Sequence, residues 1–175
     1  MQGLIIIRGN SGSGKSSAAK ELQRRFGENT MLISQDAVRR DMLMTRDGRN
    51  THALSLLITL LRYGRENCAE VILEGILNSG WYSELFDEAV RLYGNNIGAY
   101  YYDLTFEETL RRHETKPNHL DFGESDMRRW WKDKDLIGTI PEKMITAEFS
   151  LAETADMIYR EAIWEKDSES FGISK

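Results

Sequence analysis

A glycine-rich segment near the N-terminus carries the strongest chemical signal in the sequence. The run Gly9-Asn10-Ser11-Gly12-Ser13-Gly14-Lys15-Ser16 matches G-x-x-x-x-G-K-[ST] at every required position. Glycines permit positive φ and close backbone approach, so successive N–H groups can point into one concavity and bind phosphate oxygens beside a helix N-terminus. The lysine would supply charge to the β- and γ-phosphates, and the serine would offer a hydroxyl to Mg²⁺. The predicted nucleotide-binding residues are Gly9, Asn10, Ser11, Gly12, Ser13, Gly14, Lys15, Ser16 and Ser17.

A second candidate pair, Asp36 and Arg39, lies three residues apart at a predicted helix start. Both side chains can then face one crevice, beside the phosphate loop if the two preceding strands end side by side. The carboxylate could accept the proton of an attacking hydroxyl, and the guanidinium could orient an anionic acceptor or the transferred phosphoryl group. Because Asp is also a favoured N-cap and an arginine can simply be a solvated helix residue, the residues alone leave both interpretations open.

Other charged residues fall where they could assist the same chemistry. Glu74 ends a predicted strand, where it could hold Mg²⁺ through its water shell, support the base, or lie in solvent. Asp103 ends the next predicted strand, where helix capping is favoured over catalysis. Arg112 and Lys116 are one helical turn apart and could serve adenine stacking and phosphate contact, although surface charge is the ordinary explanation for either one.

Alternating strands and helices are needed to position these residues. Short apolar, β-branched runs predict strands at residues 4–7, 31–33, 71–73, 97–102 and about 143–145. Helical spacing and capping patterns predict helices at about 16–26, after Asp36, at 52–67, at 81–93, after Thr105 and after Ser150. This alternation predicts an α/β fold with a parallel sheet, right-handed crossovers and a ligand site at the carboxyl ends of the strands.

Composition narrows the class of protein further. A chain of 175 residues with 41% hydrophobic residues predicts one domain over residues 1–175. With 28 acidic against 23 basic residues, the net charge of -5 makes nucleic acid an unlikely partner, although a local basic patch stays open. The single Cys68 cannot form an internal disulfide, and neither a secretion signal nor a membrane-spanning apolar stretch is recognisable. We therefore expect a cytoplasmic protein with no membrane segment.

Taken together, these features resemble the P-loop kinases of the nucleoside-monophosphate-kinase-like superfamily, and in particular the zeta-toxin, chloramphenicol phosphotransferase and polynucleotide kinase branch. The resemblance covers about residues 1–160, and it rests on the phosphate loop, the Asp36-x-x-Arg39 pair, the run Val71-Ile72-Leu73-Glu74-Gly75 and residues 112–116. It implies a three-layer P-loop NTPase fold with a five-stranded parallel sheet and a helical lid at about 112–136. It also implies that Asp36 is the general base and that Arg39 binds substrate. Family lids commonly carry two arginines one turn apart; Lys116 at the second position keeps the charge but lacks the planar fork.

The sequence therefore predicts an ATP- and Mg²⁺-dependent kinase that transfers the γ-phosphoryl group to a hydroxyl of a small-molecule acceptor, such as a nucleoside, a sugar or an antibiotic-like compound. The predicted catalytic residues are Lys15, Asp36, Arg39, Arg112 and Lys116, and the predicted metal ligands are Ser16 and Glu74. Two alternatives stay open. One is a polynucleotide 5′-end kinase, which the acidic net charge disfavours; the other is a nucleotide-dependent regulatory ATPase without a phosphorylated product.

Overall fold

The apolar runs of the sequence form one parallel sheet in a computed structural model, which describes the backbone of residues 3–115 and 123–170 and the side chains as far as residue 163. Its five strands are ordered β2-β3-β1-β4-β5. The strands are β1 (Gly3–Gly9), β2 (Thr30–Ser34), β3 (Glu70–Gly75), β4 (Ile97–Tyr102) and β5 (Glu142–Ile145). The predicted α/β class and five-stranded parallel sheet are confirmed.

Helices connect successive strands and cover both faces of this sheet. They are α1 (Lys15–Phe26), a π-helix (Ala37–Met42), α2 (His52–Asn67), α3 (Ser83–Tyr93), α4 (Phe106–Glu114), α5 (Glu124–Trp130) and α6 (Leu151–Ser170). Buried side chains of α2 and α3 pack on one face, and those of α1 and α6 pack on the other. Within the described part of the chain, none of these helices combines the length and apolarity needed to cross a bilayer.

The central strand β1 shows why the opening run is apolar at every position. Leu4 and Ile6 point into the core beneath α2 and α3, whereas Ile5 and Ile7 point into the core beneath α1 and α6. A strand covered by helices on both faces needs apolar side chains without alternation, as its sequence shows. The strand therefore ends at the middle of the carboxyl edge of the sheet, and the phosphate loop follows there.

Strand order corrects one premise of the sequence interpretation. The strands β1 and β2 do not end side by side, because β3 lies between them and pairs with both. Asp36 therefore reaches the phosphate loop across the end of β3. In the same register Ser34 of β2 lies opposite Glu74 of β3. The Glu74 carboxylate therefore lies between the phosphate loop, which follows β1, and Asp36, which follows β2.

Two local features differ from the periodicity-based predictions. The helix α3 begins at Ser83 and not at Trp81, because Trp81 and Tyr82 belong to a turn that begins at Asn78, whose carbonyl accepts hydrogen bonds from both of their N–H groups at 3.0 Å. The segment after Asp36 is a π-helix, in which the Leu43 N–H donates to the Val38 carbonyl five residues earlier at 3.2 Å. Such turns are rare and occur often at functional sites.

The predicted lid region at about 112–136 is described only in part. Its segment 116–122 lies outside the described residues, while 123–136 contain α5 and the loop after it. Trp131 lies just beyond α5 and packs edge-to-face on Phe106, with ring centroids 5.3 Å apart. This contact joins the described part of the region to α4.

Candidate active site

The loop between β1 and α1 has a backbone that only glycine adopts readily. Gly9, Gly12 and Gly14 have φ values of 144°, 84° and 105°. A Cβ atom on Gly9 would lie 2.8 Å from the Tyr102 Cβ, and one on Gly12 would lie 2.5 Å from the Thr109 carbonyl oxygen. The glycines are thus required both for the turn and for close packing against neighbouring backbone.

Gly12→Ala is expected to destabilise the protein by about 1–3 kcal/mol more than Gly27→Ala, because only the first substitution adds an overpacking clash. Gly27 also has a positive φ, 79°, but a Cβ there meets nothing within 4 Å. Urea unfolding of the two variants isolates the clash from the shared backbone strain. ATP titration calorimetry should show weakened binding for Gly12→Ala alone, and equal behaviour of the two variants would contradict the packing described.

The Lys15 side chain is buried within this loop. Its Nζ donates to the Asn10 carbonyl at 3.1 Å. Burial lowers the pKa of the lysine, and the negative charges of Glu74 and Asp36 oppose that shift. The Ser13 hydroxyl is also fully buried and has no hydrogen-bond partner among the described residues. A phosphate group would give the lysine a counter-charge and this hydroxyl an acceptor.

Glu74 and Ser16 form the best-supported candidate pair for a divalent cation. Glu74 is 3% exposed, so the alternative of a solvated strand-end carboxylate is wrong. Its carboxylate accepts hydrogen bonds from the Ser16 hydroxyl at 3.0 Å and from the Ser34 hydroxyl at 2.5 Å. Such oxygen donors suit Mg²⁺, which usually retains waters and binds substrate phosphates. Among the described residues, no group of three or more His, Cys, Asp or Glu side chains is placed to hold a metal ion.

Asp36 and Arg39 form an ion pair at the rim of the same site. Arg39 Nη2 donates to Asp36 Oδ1 at 2.7 Å, and Arg40 Nε lies 3.5 Å from that oxygen. The Asp36 side chain is 63% exposed and makes no capping hydrogen bond, while Arg39 is 14% exposed. Asp36 therefore occupies the N-cap position of the π-helix without capping it through its side chain, and Arg39 is not a freely solvated helix residue. Desolvation would raise the pKa of Asp36, but the Arg39 hydrogen bond and the charges of Arg40, Arg39 and Lys15 outweigh it and lower the pKa.

Arg39→Ala is expected to raise the pKa of Asp36, because it removes the strongest of the interactions that favour the ionised carboxylate. In the wild type the carboxyl should titrate below the usual aspartate range and stay ionised at neutral pH. Carbon-13 NMR of the Asp36 carboxyl measures both midpoints directly. Identical midpoints in the two proteins would show that the ion pair does not exist in solution.

The phosphate loop and Asp36 line one cavity of about 800 Å³. Residues 9–11 form one side, and Asp36 with the segment after it forms another. Five cationic side chains line the cavity: Arg39, Arg40, Arg46, Arg129 and Lys132. Four aromatic side chains also line it: Trp81, Tyr101, Trp130 and Trp131. The space combines a phosphate-binding loop, a carboxylate and flat apolar surfaces.

Arg112 contacts the backbone of the phosphate loop. Its Nη1 donates to the Ser13 carbonyl at 3.0 Å, and its Nε donates to Glu108 at 2.6 Å. This position is consistent with a phosphate contact. Lys116 lies outside the described residues, so its catalytic role stays a prediction. Helix capping was the favoured interpretation for Asp103. Thr105 caps α4 instead, and Asp103 pairs with Lys134 at 3.3 Å.

Sequence patterns did not reveal the hydrogen bonds that hold the walls of the cavity together. The Asn10 side chain donates to the Lys132 carbonyl at 2.9 Å and accepts from the Lys132 N–H at 3.1 Å, which joins the phosphate loop to the chain after α5. Gln35 Nε2 donates to both Asp47 and the Tyr82 hydroxyl, and that hydroxyl donates to Asp47 at 2.6 Å. Burial and the Asp47 carboxylate raise the pKa of Tyr82, so it remains a donor. These partners are distant in sequence and leave no local pattern.

Arg8 is the other residue whose importance only the structure reveals. Its side chain is 0% exposed, and it contacts Asp135 at 3.0 Å and Glu142 at 2.9 Å. It also donates to the Leu77 carbonyl at 2.8 Å. Its sole sequence signal is a charged residue at the end of an otherwise apolar strand.

Comparisons with proteins of known structure reveal the same architecture. A gluconokinase from Sinorhizobium meliloti 1021 matches with a TM-score of 0.65 at 16% identity, covering 98% of both chains. The APS kinase of Mycobacterium tuberculosis, solved with AMPPNP and APS, matches with a TM-score of 0.61 at 17% identity, covering 93% of this chain and 97% of its own. A shikimate kinase from Acinetobacter baumannii, solved with shikimate, matches with a TM-score of 0.60 at 16% identity, covering 95% and 96%.

Sequence comparison identifies the family to which the chain belongs. No curated protein sequence matches the chain significantly. The profile of a family described as "AAA domain" matches residues 4–130, which include the phosphate loop, Asp36 and Glu74. The expected P-loop kinase fold is confirmed by the structural matches. Because the matched segment spans well over half of its length, the chain belongs to the AAA domain family AAA_33.

Proposed function

We propose that this protein is an ATP- and Mg²⁺-dependent kinase that phosphorylates a hydroxyl of a small-molecule acceptor. One observation carries the proposal: residues 9–11 of a glycine loop built for phosphates and the Asp36 side chain line the same cavity. A phosphate loop alone would only hold nucleotide. A carboxylate across the same cavity gives an acceptor hydroxyl a hydrogen-bond partner next to the terminal phosphate.

Asp36 would accept a hydrogen bond from the attacking hydroxyl and take its proton as the new P–O bond forms. A loose transition state releases that proton late, so a weak base that positions the hydroxyl suffices. Arg39 holds the carboxylate in place through its 2.7 Å contact. The acceptor oxygen is therefore directed before the reaction begins.

Lys15 and the loop N–H groups would hold the β- and γ-phosphates, with Arg112 beside the loop. Charge that builds up on the transferred group would be stabilised by these preorganised donors. Ser16 and Glu74 would hold Mg²⁺, which neutralises phosphate charge when bound. The aromatic residues of the cavity exclude water from an acceptor seated between them, which favours transfer over hydrolysis.

Three lines support a small acceptor over a polymer. The cavity of about 800 Å³ falls in the size range of small-molecule sites. The structural neighbours carry the names gluconokinase, shikimate kinase and APS kinase, and two of them were solved with shikimate or APS. The net charge of -5 disfavours a long phosphate backbone as a partner. A cytoplasmic location remains our expectation from the sequence.

The test is a transfer screen with γ-labelled ATP and Mg²⁺ across nucleosides, sugars, sugar acids, aminoglycosides and oligonucleotide 5′ ends. We expect label to appear on a small acceptor with wild-type protein and to be lost with Lys15→Met. Release of inorganic phosphate alone, stimulated by a protein partner, would instead support the regulatory ATPase. Label on oligonucleotide ends only would support the polynucleotide kinase.

A further inference from the structure

We propose that Arg46 is a specificity residue that binds an anionic group of the acceptor, a carboxylate or a phosphate ester. The inference rests on the proposed function, because it assigns a chemical class to the acceptor of that same cavity. Two observations support it: hydrogen bonds hold the backbone on both sides of Arg46, and cationic side chains outnumber acidic ones in the cavity lining.

The backbone around Arg46 is fixed on both sides. Arg39 Nη1 donates to the carbonyl of the preceding residue, Thr45, at 3.3 Å. The Thr51 hydroxyl donates to the Arg46 carbonyl at 3.0 Å. The following residue, Asp47, is held by the Gln35–Tyr82 hydrogen bonds described above and accepts from the Gly48 N–H at 3.0 Å. An exposed loop is thus positioned through its backbone and through its neighbours' side chains.

The Arg46 side chain itself has no hydrogen-bond or ion-pair partner among the described residues, yet it lines the cavity. The other cationic side chains of the lining are engaged. Arg39 and Arg40 contact Asp36, Lys132 contacts Asp135, and Arg129 contacts Asp126. A guanidinium that is carried on a held backbone and has no protein partner is available to a ligand anion, which it can bind through two parallel hydrogen bonds.

The charge of the cavity favours the same class of ligand. The chain has a net charge of -5, but five cationic and three acidic side chains line the cavity. Two of the acids, Asp36 and Asp135, are ion-paired, and the third, Asp47, accepts hydrogen bonds from Gln35 and Tyr82. A local positive excess on an acidic protein concentrates anions at this site.

Arg46 lies on the acceptor side of the site and not on the nucleotide side. Arg39 joins Asp36 to the segment that carries Arg46, because one of its nitrogens donates to the Asp36 carboxylate and another donates to the Thr45 carbonyl. The residues proposed to hold the phosphates belong to the loop after β1, to the start of α1 and to α4. The anion at Arg46 is therefore a group of the acceptor, placed away from its reacting hydroxyl.

The experiment measures binding of paired compounds of which one carries an anionic group and the other has that group replaced, esterified or removed, with Mg²⁺ and AMPPNP present to fill the phosphate loop. Gluconate is paired with sorbitol and shikimate with its methyl ester, which tests a carboxylate. Ribose 5-phosphate is paired with ribose, which tests a phosphate ester. Binding is read by calorimetry and by tryptophan fluorescence, because Trp81, Trp130 and Trp131 line the cavity.

We expect the wild type to bind the anionic member of at least one pair about 10-fold or more tightly than its neutral partner, and Arg46→Gln to remove this preference. The neutral member should bind both proteins equally. The matched control is Arg49→Gln, since Arg49 is exposed on the same loop but does not line the cavity; it should change affinity by no more than about twofold.

Absence of an anion preference in every pair, or a preference that survives Arg46→Gln, would overturn the proposal. Equal weakening of both members of a pair would also overturn it, because that result indicates a structural role. Failure of the kinase proposal looks different: AMPPNP would not bind, or no compound would accept label, while the Arg46-dependent anion preference persisted.

Discussion

Replacement of Asp36 by Asn is expected to lower kcat for phosphoryl transfer by about 10²–10⁴-fold while ATP affinity stays near the wild-type value. The amide keeps the size of the side chain but cannot take the proton of the hydroxyl. Asp36 lies at the rim of the cavity. Its closest polar contact is the ion pair with Arg39 at 2.7 Å, and not a contact with the phosphate loop. Nucleotide binding should therefore be spared. The measurement is single-turnover transfer from labelled ATP, with ATP affinity determined separately by calorimetry.

The matched control is Asp41→Asn on the π-helix that follows Asp36. Asp41 is exposed and does not line the cavity, so its substitution should leave kcat unchanged. Asp36→Glu should retain part of the activity, because a longer carboxylate keeps the proton acceptor but displaces it. Normal turnover by Asp36→Asn would remove this residue as the base, and a parallel loss of ATP binding would indicate a role in the phosphate site.

Replacement of Arg8 by Met is expected to lower the free energy of unfolding by about 3–5 kcal/mol, which is the usual effect of removing one partner from a buried ion pair. The substitution leaves the buried carboxylates of Asp135 and Glu142 without their shared cation. Burial would raise the pKa of Asp135, but hydrogen bonds from Lys132 and Ser79 and the charge of Arg8 hold it below its usual range. Without the arginine, the Asp135 carboxyl should bind a proton more readily. Urea unfolding at neutral pH measures the effect.

Two further variants separate this effect from a general loss of charge. Arg24→Met removes a surface pair with Glu21 in which the arginine is 72% exposed, and it should leave the unfolding midpoint almost unchanged. Glu142→Gln added to Arg8→Met should cost less than the sum of the two single substitutions, since the carboxylate is a liability once its partner is gone. Full additivity, or wild-type stability of Arg8→Met, would contradict the buried network.

Local sequence patterns were sufficient where a residue acts through its own backbone segment. The glycine pattern predicted the loop, because positive φ at fixed spacing is a property of that segment alone. The apolar face of residues 52–67 predicted α2 with its observed ends. The spacing of Asp36 and Arg39 predicted that they share a crevice, and the structure brings them into contact.

The patterns were insufficient where function depends on the order of strands and on distant partners. Nothing in the sequence indicates that β3 separates β1 from β2, so the condition on which the predicted position of Asp36 depended, that these two strands end side by side, is not met. Arg8 pairs with carboxylates that lie more than a hundred residues away in the sequence, and its role in the buried ion-pair network depends on these contacts. Arg46 was not singled out, because its significance lies in hydrogen bonds made by its neighbours to other elements.

A crystal structure of the protein with Mg²⁺ and AMPPNP tests the shared cavity most directly. An acceptor oxygen in position to react lies about 3–3.5 Å from the γ-phosphorus and within hydrogen-bond reach of its base. We therefore predict the γ-phosphoryl group beside Lys15 and facing the Asp36 carboxylate at no more than about 7 Å, the width of one hydroxyl group between them. A γ-phosphoryl group directed away from Asp36, or separated from it by clearly more than this distance with the nucleotide bound, would contradict the account and leave only a nucleotide-binding protein.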